Sequence, residues 1–315
     1  SKISAASFEL FLYNANYKPH IHHRNAGRLI FCFAMGPVWY VYVVFCVALT
    51  AAELQCGRTP IMPSLDEAGD RIIGGSEAVP GSWPWHVGLR SQLATSRHFC
   101  GGALIDDRHV LTAARCLGQG GDRSVRVHLG SHQRDHRDAT EVLAAVEHVC
   151  RDKRYRQGFD FAILRLKERV TFTDVIQPVC LPDANSNLPD NTTLYVPGWG
   201  HTIVDGQKVF SDVLRQARTK SIENQRCSQL YREVPDNLMC TVTDYGFPCR
   251  EDQGGPLVRR VNGVWVLEGL YSMALGTCSD PKSPRLYTKV SRFVDQINKY
   301  RQLESREELD SFCKN

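Results

Sequence analysis

The sequence predicts an all-β domain that ends in a single helix. From Ile72 to about Lys289, short runs of β-forming residues alternate with Gly, Pro, Asp and Asn. This spacing is typical of a β-sandwich or a β-barrel and not of a fold in which strands alternate with helices. The helix is predicted over 290–303, where four apolar residues recur at helical spacing. They are Phe293, Val294, Ile297 and Tyr300.

Seven runs carry the strand prediction, because apolar and β-branched residues dominate them and turn-forming residues separate them. They are residues 86–90, 99–106, 124–130, 141–149, 161–166, 193–196 and 264–272. Half of the last residues, 304–315, are charged. We therefore expect a frayed tail there, with Cys313 as the exception.

The composition is that of an ordinary globular protein and argues against several functional classes. The chain has 315 residues, of which 43% are hydrophobic and 23% charged, with a net charge of +4. A charge this mild, without a basic stripe, does not indicate a nucleic-acid partner. Twelve cysteines indicate disulfides and an oxidising compartment. No CxxC pair or HExxH motif occurs, so we expect no metal and no cofactor.

The N-terminal region indicates export from the cell. Residues 1–34 are expected to be an untranslated or disordered extension, with Met35 as the true start. Residues 35–52 are predicted to be a signal peptide, because the apolar run 38–49 has the length of a signal-peptide core and small residues follow it. The mature protein would then begin at Glu53 and be secreted, extracellular and not embedded in a membrane.

A signal anchor is the alternative, because the whole apolar run is roughly long enough to span a bilayer. We favour cleavage, since Gly36 and Pro37 interrupt the run and small residues close it. Residues 53–71 are rich in Gly, Pro and acidic residues and are predicted to be a propeptide-like linker. The main domain is expected over 72–303.

Several motifs follow one another along the chain. They are Arg-Ile-Ile-Gly-Gly at 71–75, His-Phe-Cys-Gly-Gly at 98–102, Val-Leu-Thr-Ala-Ala-Arg-Cys at 110–116, Asp-Phe-Ala-Ile-Leu at 160–164, Gly-Trp-Gly at 198–200, Gln-Gly-Gly-Pro-Leu at 253–257 and Pro-Arg-Leu-Tyr at 284–287. In type and order they resemble the chymotrypsin/trypsin family of serine proteases, peptidase S1. The resemblance covers about residues 56–303. It implies two six-stranded antiparallel β-barrels, a cleft between them and a C-terminal helix.

The resemblance also implies a disulfide pattern. It pairs Cys100 with Cys116, Cys227 with Cys240, Cys249 with Cys278, and Cys56 with Cys180. The last of these would tether the propeptide-like segment to the main domain. Of the cysteines in the predicted mature protein, Cys150 and Cys313 are left over. Either they bridge the tail to the first barrel, or one of them is free or bonds another molecule.

By the same resemblance, two of the three catalytic positions have changed. Asp160 matches the carboxylate, but Arg115 stands where the family has histidine and Gln253 where it has serine. A guanidinium has no acceptor that could take a proton, and a carboxamide is no useful nucleophile. Loss of one triad member already costs several orders of magnitude in rate. The sequence therefore predicts no peptide cleavage, with Arg115 and Asp160 as a structural ion pair.

The surrounding positions depart from the family as well. Glu251 replaces a glycine whose N–H stabilises the oxyanion, so its carboxylate either opposes that charge or points to solvent and leaves the N–H usable. Phe247 at the floor and Arg285 at the wall are expected to block the specificity pocket. Met273 and Ala274 replace the Trp-Gly of the substrate-pairing segment. We therefore expect binding through surface loops and not through the cleft.

The residues of zymogen activation are kept, by resemblance. Cleavage after Arg71 would free the amine of Ile72, and Asp252 matches the family's buried partner for that amine. We favour the interpretation that this cleavage occurs. The alternative is an inherited framework without a present use.

These observations favour a catalytically inactive, secreted serine protease homologue that acts by binding proteins, as a cofactor or regulator of an extracellular protease cascade. One alternative is a serine-type endopeptidase with weak activity. Another is a defence protein that binds a surface or a sulfated polysaccharide. The basic residues Arg151, Lys153, Arg154 and Arg156 would serve the latter, although a solvated face is the default. Asn191 begins a glycosylation sequon, and we expect it to be glycosylated if the protein is secreted.

Overall fold

The computed structural model describes residues 28–35, 43–50, 56–65, 75–91, 97–117, 125–152, 154–204, 207–230, 233–246, 248–276, 280 and 283–314. The chain divides into two units, Ser1–Gln55 and Cys56–Asn315. In the first unit, strand β1 (Arg28–Met35) pairs antiparallel with β2 (Val43–Thr50). The expected signal-peptide cleavage site before Glu53 lies outside the described residues. No helix in the described ranges is long and apolar enough to cross a membrane.

The second unit begins with a short strand, β3 (Ser76–Glu77), and continues into a closed six-stranded barrel. The barrel strands are β4 (His86–Ser91), β5 (His98–Leu104), β6 (His109–Thr112), β7 (Val125–Leu129), β8 (Val142–Arg151) and β9 (Ala162–Leu166). Their spatial order is β4-β5-β6-β9-β8-β7, and antiparallel pairing of β4 with β7 closes the ring. Every residue of β9 is buried, as expected for a strand with neighbours on both edges inside a packed barrel.

A second ring of six strands follows. Its members are β10 (Thr193–Gly198), β13 (Arg215–Ile222), β14 (Leu238–Tyr245), β15 (Pro256–Val261), β16 (Val264–Ala274) and β17 (Arg285–Lys289). The order is β10-β15-β16-β17-β14-β13, with β10 paired to β13 and β3 added on β13. The strands β11 (His201–Val204) and β12 (Gln207–Phe210) form a separate hairpin. The fold predicted from the sequence, two six-stranded antiparallel barrels with a C-terminal helix, is confirmed.

A cluster of tryptophans packs where the first barrel meets the second. The rings of Trp83 and Trp265 lie 4.9 Å apart edge-to-face, and Trp85 lies 6.1 Å from Trp83. All three side chains are almost fully buried. Trp83 also donates through Nε1 to Gln216 Oε1 at 2.8 Å, which satisfies its one polar atom inside the core.

Disulfides attach both flanking segments to the barrels. The bridges are Cys56–Cys180, Cys100–Cys116, Cys150–Cys313 and Cys227–Cys240. Cys249 is also disulfide-bonded, while its expected partner Cys278 lies outside the described residues. The segment after Cys56 is further held by backbone hydrogen bonds, among them Gly57 N–H to Pro178 O at 2.7 Å. Of the two readings left open for Cys150 and Cys313, the structure contains the intramolecular bridge.

The α-helices in the described part of the chain are α1 (Asn224–Leu230), α2 (Val294–Arg301) and α3 (Arg306–Lys314). Helix α2 is shorter than predicted, because residues 290–292 form a 3₁₀ turn before it. The prediction of a frayed tail was wrong. Helix α3 packs on β8 through the Cys150–Cys313 bridge, and its Leu309 is 1% exposed. Asp310 lies 3.0 Å from Nε2 of the buried His148, so the helix also has a polar anchor.

Truncation of Leu309 tests how much this helix contributes to stability. Leu309→Ala removes a fully buried side chain, so we expect the free energy of unfolding to fall by about 2–4 kcal/mol. The neighbouring Glu307 is exposed, and Glu307→Ala should change it by less than about 0.5 kcal/mol. Urea unfolding with the disulfides intact measures both. Equal losses in the two variants would contradict a docked helix.

Candidate functional site

Arg115 and Asp160 form an ion pair at the junction of the two barrels. The 3₁₀ turn Ala114–Cys116 follows β6 and presents Arg115, whose backbone N–H donates to Asp160 Oδ1 at 2.9 Å. The Nε of the same residue donates to Asp160 Oδ2. The side chain of Asp160 is 1% exposed and that of Arg115 is 30% exposed. The ion pair that the sequence predicted is present.

Asp160 is also bonded to the second barrel. Ser272 on β16 donates through Oγ to Asp160 Oδ2 at 2.7 Å, and Thr288 on β17 donates to the Asp160 backbone carbonyl at 2.7 Å. A buried carboxylate is tolerated when it is paired and hydrogen-bonded in this way. Within the described residues, its side-chain donors are a guanidinium and a hydroxyl, not an imidazole. The carboxylate is therefore committed to holding the barrels together.

Gln253 folds back onto its own loop. Its Oε1 accepts a hydrogen bond from the backbone N–H of Glu251 at 2.9 Å, and its backbone carbonyl accepts one from Gly101 at 2.8 Å. Cys116 Sγ lies 3.4 Å from the same carbonyl oxygen, so this loop sits directly beside the turn that carries Arg115. The three positions matched to a catalytic triad are thus brought to one place. At that place the Glu251 N–H already has an acceptor.

The carboxylate of Glu251 is held by two arginines. Arg97 donates to its Oε1 at 3.1 Å, and the buried Arg134 donates to its Oε2. Glu251 has a φ of +73°, a left-handed conformation that is costly for a residue with a Cβ. The two expected alternatives were a carboxylate opposed to the oxyanion and one pointing to solvent. The structure shows neither, because both oxygens are paired and the side chain is only 15% exposed.

Further contacts, which no sequence motif predicted, hold Glu251 in place. The guanidinium of Arg134 stacks 4.2 Å from the ring centroid of Phe210 on β12. His98 Nε2 lies 3.1 Å from the Glu251 carbonyl oxygen. Burial lowers the pKa of His98 to about 3, so its ring is neutral and donates there. These residues come from three segments far apart in the chain, and no local motif links them.

Asp252 is buried and held by backbone donors. The N–H of Gly200 donates to its Oδ1 at 2.7 Å, and that of Cys249 to its Oδ2 at 2.9 Å. Burial raises the pKa of Asp252 to about 7. The residue borders a small cavity of about 20 Å³ that is also lined by β10 and β13. Arg71 and Ile72, the expected source of an amine partner, lie outside the described residues.

Arg285 is completely buried at the expected specificity pocket. Its Nη1 donates to Ser283 O, and its Nη2 donates to Asp280 O at 3.1 Å. Phe247, the other residue expected to block the pocket, lies outside the described residues. The blocked pocket therefore stays a prediction, supported by a cationic side chain that is packed inside the protein.

A groove of about 510 Å³ nevertheless borders the Arg115–Asp160 pair. Its walls are mostly apolar and come from both barrels: Arg115, Tyr155, Gln157, Gly158, Asp160, Glu233, Val234, Pro235, Leu238, Ser272, Met273, Ala274, Leu275, Gly276 and Leu286. The expectation of binding through surface loops and not through the cleft stays a prediction. The buried Arg285 does not line this groove, whereas residues 272–276 at the end of β16 do.

The other predicted surface sites are less distinctive. Arg151 donates to Leu117 O, and Arg154 pairs with Asp152 at 2.8 Å. Lys153 and the side chain of Arg156 lie outside the described residues. Both described arginines of the basic patch are therefore bonded to other groups of the protein. This arrangement does not favour a polysaccharide site. Asn191 is exposed in a turn, with a φ of +60°.

Comparisons with known proteins agree with this architecture. A profile of the Trypsin family matches residues 72–297. Chymotrypsin-C of Rattus norvegicus is 34% identical over 267 residues, which cover 81% of this chain and 97% of the rat protein. Chymotrypsin-C of Mus musculus gives the same identity and coverage.

Removal of Arg115 tests the structural role of the ion pair. Arg115→Ala leaves a buried carboxylate without its cation, so we expect the free energy of unfolding to fall by about 3 kcal/mol. Arg169 pairs with Asp107 but is 60% exposed, and Arg169→Ala should cost no more than about 1 kcal/mol. Urea unfolding at neutral pH compares them. A loss for Arg115→Ala no larger than that of the control would show that the pair is not structural.

The pKa of Asp252 predicts a dependence of stability on pH. A folded pKa of about 7, against an ordinary 3.8, means that the folded state holds its proton more tightly. Stability should therefore decrease as the pH rises from about 4 to about 7, by up to about 4 kcal/mol. Cleavage after Arg71 should abolish most of this decrease, because the Ile72 amine would pair with the ionised carboxylate.

Urea unfolding at pH 5 and pH 7.5, before and after treatment with a protease of trypsin specificity, measures this change. The matched control is Arg71→Gln, which removes the cleavage site and should keep the original pH dependence after treatment. Identical pH profiles of the cleaved and intact wild-type chains would refute the pairing of Ile72 with Asp252.

Proposed function

Since the chain belongs to the trypsin family of serine endopeptidases, we propose that it is a secreted member that does not cleave peptide bonds and acts by binding other proteins. The role that fits best is that of a cofactor or regulator in an extracellular protease cascade. Its catalytic positions are then structural, and its family fold serves as a scaffold.

The observation that carries the proposal is the hydrogen bond from Glu251 N–H to Gln253 Oε1 at 2.9 Å. At the position matched to the nucleophile, Gln253 has a carboxamide and therefore neither a hydroxyl nor a thiol that could attack. The same carboxamide accepts from the N–H matched to the oxyanion donor. Nucleophilic attack and charge stabilisation, the two contributions of this loop to acyl transfer, are therefore both unsupported.

The Arg115–Asp160 pair supports the same proposal. Acyl transfer in this family's manner needs a base that accepts a proton from the nucleophile. A guanidinium group has only donors and no acceptor for a proton, so Arg115 serves Asp160 as a counter-ion and not as a base. Besides Arg115 and Gln253, Glu251 and Arg285 also differ from the residues that the family has at their positions. Restoring histidine and serine alone should for that reason not restore cleavage.

Secretion is supported by two independent features. The apolar run at 38–49, followed by small residues, has the form of a signal peptide. The four bridges between described cysteines suit an oxidising compartment. Asn191 would then be exposed to glycosylation on the mature protein.

A peptidase assay tests the proposal. The wild-type chain, with and without cleavage at Arg71, is incubated with a broad set of peptide p-nitroanilides alongside rat Chymotrypsin-C. We expect a rate at least about 10⁴-fold below that of the rat protein, because two triad members are absent. The double variant Arg115→His, Gln253→Ser should stay within tenfold of the wild-type chain.

The readouts separate the parts of the proposal. Turnover by the wild-type chain would refute catalytic inactivity. Recovery in the double variant alone would show that Glu251 and Arg285 do not impair the site. An unchanged unfolding midpoint is required of the variant before its activity is compared.

A further inference from the structure

Helix α3, the last element of the chain, is attached to the first barrel by a small set of contacts. The Cys150–Cys313 bridge joins it to β8. Leu309 is its one fully buried side chain, and Asp310 lies 3.0 Å from Nε2 of His148 on β8. A helix of nine residues is too short to be stable on its own in water. The helix therefore depends on these attachments.

The bridge Cys56–Cys180, which ties down the other flanking segment, has more support. Gly57 N–H donates to Pro178 O at 2.7 Å, and Trp265 N–H donates to Gly57 O at 2.9 Å. If this bridge opened, backbone hydrogen bonds would still hold the segment at Gly57. Between the described residues of α3 and β8, by contrast, each hydrogen bond involves a side chain. Helix α3 thus relies more heavily on its bridge.

The barrel beneath α3 has its own support. Strand β8 pairs with β7 along one edge and with β9 along the other. Helix α2 is held by Arg301, whose Nε donates to Asp106 at 2.6 Å, and Arg165 donates to Leu303 O just before α3 begins. These contacts do not pass through α3. Undocking of α3 should therefore be a local event that leaves the ladders and α2 in place.

The sulfur atoms of this bridge are more accessible than those of a bridge inside the second barrel. Cys313 is partly exposed and Cys150 is 6% exposed, whereas Cys227 and Cys240 are both 0% exposed. Thiol–disulfide exchange needs a thiolate that reaches one of the two sulfur atoms. A reductant in solution would therefore open Cys150–Cys313 before Cys227–Cys240.

We propose that the Cys150–Cys313 bridge is a redox latch, and that its reduction by a dithiol releases α3 while both barrels stay folded. A thiolate of the dithiol bonds to Cys313 Sγ, the S–S bond breaks, and Cys150 leaves as a thiolate that takes up a proton. The second thiol then displaces Cys313, which is protonated in turn. The dithiol ends as its own disulfide, having given two electrons and two protons to the protein.

Release would uncover apolar surface that the oxidised protein keeps buried. The ring of Tyr300 on α2 is 0% exposed and lies 5.8 Å from the ring of Phe312 on α3. Its hydroxyl lies 2.7 Å from Nδ1 of His148. With α3 undocked, these groups and Leu309 would meet water. The latch goes beyond the proposed function, and it holds whether or not the chain cleaves peptides.

Amide hydrogen exchange of two matched double variants tests the latch. Cys150→Ser, Cys313→Ser lacks it, and Cys56→Ser, Cys180→Ser lacks the other flanking bridge. In the first variant we expect exchange in 306–314 to be at least about tenfold faster, while β9 stays within about twofold of the wild-type chain. In the second, exchange in α3 should stay unchanged. Unchanged exchange of α3 in the first variant, or equal acceleration of β9, would overturn the proposal.

Partial reduction of the wild-type chain keeps the proposal testable if the first variant fails to fold. The protein is incubated with dithiothreitol for increasing times, quenched with iodoacetamide and mapped by mass spectrometry. We expect Cys150 and Cys313 to be alkylated at least about tenfold faster than Cys227 and Cys240. Exchange in α3 should rise in step with that alkylation. Simultaneous opening of both bridges, or a reduced latch with α3 still protected, would refute it.

Discussion

The arrangement of the rest of the site depends on the buried carboxylate of Asp160. It lies where the first barrel meets β16 and β17, and a charge in that position needs a cation and several donors to be stable. Arg115 and Ser272 supply them from opposite barrels. In a protease of this family the same carboxylate would orient an imidazole. Here it is paired with the guanidinium of Arg115 and bonded to the second barrel through Ser272.

In the loop around Gln253, too, polar groups are paired with one another inside the protein. Its donors and acceptors are matched internally: Gln253 Oε1 takes the Glu251 N–H, and Arg97 and Arg134 take the Glu251 carboxylate. Glu251 keeps a left-handed φ that favours glycine, so this network has to stabilise a conformation that costs of order 1–3 kcal/mol. The polar groups that a reacting substrate would need are in use before any ligand arrives.

Most of the fold could be predicted from the sequence, because periodicity and ordered motifs are local signals. The Arg115–Asp160 pair was also predictable, since the two motifs fix both positions. The contacts of Glu251 were not, because Arg97, Arg134 and Phe210 reach it from separate loops. A cleft between the barrels was expected from the resemblance, but the lining of the groove was not, because its outline depends on how far β15 and β17 extend along β16. Helix α3 was misjudged because its anchors, the buried Leu309, the Cys150–Cys313 bridge and the contact of Asp310 with His148, all depend on partners far away in the chain.

The bridges Cys56–Cys180 and Cys150–Cys313 enclose overlapping stretches of the chain. A force applied between Cys56 and Cys313 would pass through the first bridge to Cys180, back along the backbone to Cys150 and out through the second. Only residues 150–180 bear that load. They include Asp160 and the buried strand β9. The covalent path is about 30 residues, so the two ends cannot separate by more than about 100 Å while the bridges hold. The other covalent paths between the two ends are longer and stay slack while the bridges hold.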